Sequence, residues 1–201
     1  GLDGAVKVFR DKFGIPHMKA ESELDAFFAQ GFVTAQDRLW HMEYDRRRGS
    51  GRWAEAIGDQ AVGQDKMMRR FRLKASAKAD YQVMGPHTKA VFDAYAAGVN
   101  AFINSGDALP VEYRITGLEP EPWQPWDGLI AYKVRHISMG VFESKVWRAR
   151  MVREIGPEAA GKLFPGVGPG YLMILPPGST SPEPLDEGLK ASAEGAAGLN
   201  H

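Results

Sequence analysis

Glycine and proline are spread unevenly along this chain, and their placement fixes where regular structure can run. The 201 residues hold 23 Gly and 13 Pro. Each proline locks φ and removes a backbone donor, so it tends to mark a boundary or an edge. Pro16 demotes the extended piece Ile15 to Ala20 to an edge or irregular strand. Pro86 stands at a favourable helix start. Pro110 to Gly117 reads as a connector, and Pro120, Pro122 and Pro125 punctuate an extended segment. From Pro165 to Pro184 both residue types crowd together, and Glu187 to His201 is small and polar apart from Leu189 and Leu199. The expected division is a domain over residues 1–164 and a Pro/Gly-rich segment over 165–201.

Between these marks the pattern is mostly helical. Val6 to Arg10 alternates in the strand manner, Asp11 to Gly14 is a turn, and Ile15 to Ala20 returns, giving one small N-terminal hairpin. Ser22 with Asp25 three residues on is a weak capping box ahead of a helix reaching Arg48 and stopped by Gly49-Ser50-Gly51. Gly31, inside it, marks a break or a close helix contact. Helical stretches are expected near Trp53 to Ile57 and from Ala61 to Val83. After Pro86, Val91, Tyr95, Val99 and Phe102 form one apolar face. Asp127 is the expected N-cap of a helix to Glu143, followed by another from Ser144 to Ile155.

Composition excludes several functions. Lys+Arg and Asp+Glu are both 25, so no basic excess points to nucleic acid. A hydrophobic fraction of 44% is enough for a core. With no cysteine there is no disulfide scaffold, thiolate metal site or Cys nucleophile in these residues, and bacterial periplasm and cytoplasm both remain open. No apolar run nears the roughly 20 residues that span a bilayer, and Gly-Leu-Asp-Gly at the start does not read as a signal peptide.

Few residues point to chemistry. Arg46-Arg47-Arg48 reads as a solvated or ion-paired helix face, and so do Arg69, Arg70 and Arg72. No two of His17, His41, His87, His136 and His201 have the spacing of a helical metal pair. There is no Gly-x-Ser-x-Gly elbow and no arguable Ser/His/Asp set, so no catalytic residue is assigned. After Asp127, Ile130, Val134, Ile137 and Val141 make a core face. A second face carries Tyr132, Arg135, His136, Met139 and Phe142. That mixture suits a pocket for an apolar or partly anionic group, or Met139 and Phe142 are core and Arg135 is a surface ion pair.

Three motifs in order then carry a resemblance. Val8 to His17, Gly31 to Glu43 followed by Arg46-Arg47 and Gly51-Arg52-Trp53-Ala54-Glu55, and Gly117 to Asp127 together resemble the α subunit of the penicillin and cephalosporin acylases. The resemblance covers Val6 to Pro165, and the segment from Pro110 through Arg148 looks closest to the cephalosporin acylases.

The resemblance implies half of an α+β N-terminal nucleophile hydrolase, an αββα sandwich completed by a β subunit cut from the same precursor. It implies a Ser nucleophile at residue one of β, activated by its own α-amine, whose pKa near 8 allows it to accept a proton. It implies an acyl pocket to which this chain contributes Met139 and Phe142, with His136 and Arg135 as further contacts. His201 is then expected to end the segment that approaches the cleavage point. The reaction implied is hydrolysis of an amide between an acyl side chain and an amine. The rivals are an acyl-homoserine lactone acylase of the same family and a helical binding module without chemistry. Penicillin G acylases carry a Glu calcium ligand where Lys145 stands here, so no calcium is expected from this chain, although Glu143 is two residues away. His41 stands where Gln is usual.

Overall fold

The computed structural model describes residues 1–140 and 142–163. Strands β1 (Lys7–Arg10) and β2 (Pro16–Lys19) pair antiparallel, with Val8 opposite Met18 and Phe9 opposite His17. Among the described residues eight α-helices follow: α1 (Glu23–Ser50), α2 (Ala54–Ile57), α3 (Val62–Phe71), α4 (Leu73–Val83), α5 (Pro86–Ile103), α6 (Val111–Thr116), α7 (Asp127–Met139) and α8 (Phe142–Leu163), with a 3-10 turn, Gly58–Ala61, after α2. The described chain is therefore mostly helical with one small hairpin, as expected. It divides into two units after His136, inside α7. Residues 165–201, with His201, lie outside the described residues.

The long helix α1 starts where the sequence says it should. The Ser22 hydroxyl accepts the Asp25 N–H at 3.0 Å, which satisfies one orphan donor of the first turn. The second half of the expected capping box does not form. The Asp25 carboxylate accepts instead from the Asp3 and Gly4 amides, at 2.8 and 3.1 Å, and ties the N-terminal segment down. The hairpin is fixed to α1 by Arg10, whose two guanidinium nitrogens meet both oxygens of Asp37.

The core lies between α1 and α5. Ala35, Leu39, Ala96, Val99, Phe102, Tyr113 and Trp123 are buried in one cluster. Burying a side chain such as Phe102 contributes about 1.5–3 kcal/mol. The proline-punctuated segment joins this core because Asn100 reads its backbone: the Trp123 N–H donates to Oδ1 at 2.7 Å, and Nδ2 donates to the Trp123 carbonyl at 2.9 Å. Buried backbone groups without a ladder need such partners.

Five boundaries differ from the sequence expectation, each for a local reason. Helix α1 runs through Gly49, which packs against Ile130 and Val134 of α7, and ends at the left-handed Gly51. The stretch Ala61 to Val83 is broken at Arg72, whose φ of 55° turns the chain between α3 and α4. Pro110 to Gly117 is not a bare connector but contains α6. Helix α7 stops at Met139 ahead of Gly140, so Glu143 belongs to α8, and the Asp127 carboxylate turns to the Gln124 amide at 2.9 Å. Helix α8 passes Ile155: Gly156, with φ 81°, interrupts it, and Pro157 restarts it.

Candidate functional site

The face of α7 singled out from sequence is built on a packed back. Ile130 and Val134 are fully buried, so the helix presents Tyr132, Arg135 and His136 outward. Met139, in its last turn, is 84% exposed. Phe142 opens α8, and its side chain lies outside the described residues. His136 Nε2 and the Tyr132 hydroxyl are 2.8 Å apart, one helical turn from each other, with the rings edge to face.

Arg135 is not a free cation. Its Nε donates to Asp45 Oδ2 at 2.6 Å, and a terminal nitrogen donates to His41 Nε2. His41 itself stands 3.8 Å from the same Asp45 oxygen. His41 therefore has a specific partner on α7. These three residues edge a cleft of about 360 Å³ whose walls include Met42, Tyr95, Trp123 and Ala131. That size is at the small end of organic-ligand sites.

The other charged constellation is the run expected to be a solvated or ion-paired helix face. Arg46 and Arg47 are ion-paired but buried, and so is Glu43, at 2% exposure. Glu43 accepts from both arginines. Arg46 also reaches Asp127 at 3.1 Å and the carbonyls of Pro122 and Glu121. Arg47 continues to Glu55 and Glu121, which Arg52 binds from outside. The spacing held the clue. Glu43 precedes Arg46 and Arg47 by three and four residues, on one helix face, and the two later motifs carry the remaining acids, Glu55 in one and Glu121 and Asp127 in the other.

Arginine charge and burial pull the acids of this cluster in opposite directions. The Arg52 hydrogen bond holds the Glu121 carboxyl down to about 2, and Arg52 likewise lowers Glu55. Burial raises Asp127, against the pull of the Gln124 amide and Arg46. Burial also raises the Tyr113 phenol. Buried ion pairs gain only when every partner is satisfied, and the arrangement cross-links α1, α2 and the segment before α7. Among the described residues, no three acids or histidines gather to hold a metal ion. Lys145 is exposed on α8.

The sequence model of the family described as Penicillin amidase matches residues 5–194. Penicillin acylase 2 proenzyme of Pseudomonas sp. (strain SE83) is 43% identical over 89% of this chain and 23% of its own length. Acyl-homoserine lactone acylase QuiP of Pseudomonas syringae pv. syringae (strain B728a) is 36% identical over 70% of this chain and 17% of its own. The chain thus spans less than a quarter of these curated relatives. A thermostable penicillin G acylase from Alcaligenes faecalis superposes with a TM-score of 0.65 at 27% identity, covering 90% of this chain and 98% of that one.

Proposed function

This chain belongs to the penicillin amidase family, and from that premise we propose that it is the α subunit of an acylase that hydrolyses the amide between an acyl side chain and an amine. The observation that carries the reading is the pair of coverages. The chain fills 98% of one chain of a solved penicillin G acylase but 23% of a relative named a proenzyme. The solved acylase holds the matched region as a chain of its own, which supports reading that region as a separate subunit.

In this reading a second chain from the same precursor supplies the Ser nucleophile, its α-amine as base, and the strands that complete an αββα sandwich. The Ser oxygen attacks the amide carbonyl, the amine leaves with the transferred proton, and water then hydrolyses the acyl ester. Residues 1–164 form the folded α-subunit part and 165–201 lead toward the cleavage point. Met139 and Phe142 line the acyl pocket, and His136 contacts the acyl group. Lys145 supplies no calcium ligand, because an ammonium repels the cation.

The test is to express the full reading frame and assay the purified protein on β-lactam side-chain donors and on acyl-homoserine lactones. Mass spectrometry should find two chains, the second headed by Ser, with an acyl adduct trapped on it. An unprocessed product without amide hydrolysis overturns the reading. The similarity to QuiP acylases favours a second reading within the same chemistry, in which long acyl chains are preferred. Faster turnover of acyl-homoserine lactones would select it.

A further inference from the structure

The residue that ties α7 to α1 is Asp45. It is a carboxylate 4% exposed, in the second half of α1. Among the described residues its side-chain partners are the Arg135 guanidinium and His41. Such a carboxylate is stable only while its cation stays in place, since an unpaired buried charge is strongly unfavourable. The bond runs through Arg135 Nε, near the root of the fork, which restricts the side chain more than a contact at its tip. Arginine only donates, so the nitrogen of His41 that faces it must accept. Asp45 and His41 therefore grip one guanidinium from one helix, four residues apart, and set how α7 is rotated against α1.

We propose that Asp45 is a positioning residue for acyl selectivity, acting through Arg135 to fix the rotation of α7. This rests on the acylase reading above, in which α7 carries residues of the acyl pocket. Arg135 then serves by holding its helix and not by binding the acyl group. A small rotation of a helix moves every side chain on it, and one methylene of misfit in an apolar pocket is worth about tenfold or more in selectivity.

The experiment uses the processed holoenzyme and reads the ratio of kcat/KM for an aromatic acyl donor against that for a long aliphatic one. Asp45→Asn and Arg135→Ala are expected to shift this ratio in the same direction, by about tenfold. The double variant should shift it no further than either single change, because both remove one interaction. Arg135→Lys, which can still reach Asp45, should return the ratio to within about threefold of the parent. His41→Gln keeps an acceptor and should match the parent.

The following results overturn the proposal. A shift with Arg135→Ala but none with Asp45→Asn means that Arg135 touches substrate directly. Lower melting temperatures with an unchanged ratio mean that the clasp is structural only. Additive effects in the double variant mean that the two residues act separately. Should Asp45→Asn yield no processed enzyme, His41→Leu removes the second support from an exposed position. A shift in the direction of Arg135→Ala supports the proposal, and an unchanged ratio overturns it. A parent that processes correctly yet hydrolyses no N-acyl amide fails the functional reading itself, and the inference falls with it.

Discussion

Gly31 of α1 and Gly98 of α5 let the two helices cross backbone to backbone. A Cβ at Gly31 would overlap the Tyr95 carbonyl, 2.9 Å from its carbon, and one at Gly98 would overlap the Phe28 carbonyl, 2.8 Å from its carbon. Neither obstacle is the end of a flexible side chain, so nothing can swing aside. Gly31→Ala and Gly98→Ala should each destabilise the protein by about 3 kcal/mol, at the upper end for overpacking. Thermal unfolding of the processed enzyme measures this. Parent-like melting in both variants would remove the close crossing from the account.

Among the described residues, Glu43 is the only acid that meets both Arg46 and Arg47 with its own carboxylate. Glu43→Gln keeps the shape and removes the buried carboxylate that both guanidiniums share, leaving Asp127 to Arg46 and Glu55 and Glu121 to Arg47. The expected loss is about 3–5 kcal/mol, the range for breaking a buried pair from one side. Denaturant unfolding should show it as a lower midpoint with unchanged slope. A loss under about 1 kcal/mol, the level of exposed pairs, would show that water reaches the cluster.

How much of this was legible depends on the range of the cause. The hairpin, the Ser22 cap, and the α5 face of Val99 and Phe102 follow from local pattern, and they stand where the sequence puts them. Gly31 is compatible from sequence with a break or a close contact, and its partner Gly98, 67 residues away, decides for the contact. Arg72 illustrates the opposite limit. Its left-handed φ breaks a stretch with no glycine or proline at the break, so no local rule marks it. Arg46 and Arg47 look like a surface run because their counter-ions Glu121 and Asp127 lie more than 70 residues on. Arg135 is an exposed ion pair, as one of its two readings has it, but nothing local points to its partner Asp45, 90 residues away.

Acid should weaken this fold over a definite window. Glu121, ordinarily near 4.5, is held at about 2 by Arg52, and Glu55 is lowered as well. A carboxylate depressed in the folded state contributes stability that is present above its unfolded pKa and lost as pH falls toward the folded one. Urea midpoints should therefore fall from about pH 4.5 to about pH 2. Glu121→Gln should show a shallower fall over that range. Asp127 works against the trend, since burial raises its pKa and the folded state takes its proton more readily. Equal slopes for parent and Glu121→Gln would mean that Arg52 does not hold Glu121 in solution.

Met139 gives the most direct test of the pocket. Its thioether is exposed at the end of α7, so truncation opens no core cavity and should cost little stability. If the acyl group packs on it, Met139→Ala removes apolar contact from substrates that reach that depth and leaves shorter ones alone. The ratio of kcat/KM between long and short acyl donors should drop about tenfold, while the extent of precursor cleavage and the melting temperature stay near those of the parent. Met139→Leu keeps volume and apolarity, and should restore most of the ratio. Steady-state kinetics on a graded series of acyl chains, with the processed fraction read by gel, separates the outcomes. Unchanged relative rates would take Met139 out of the pocket. A loss of processing with unchanged relative rates would assign it to contact with the second chain.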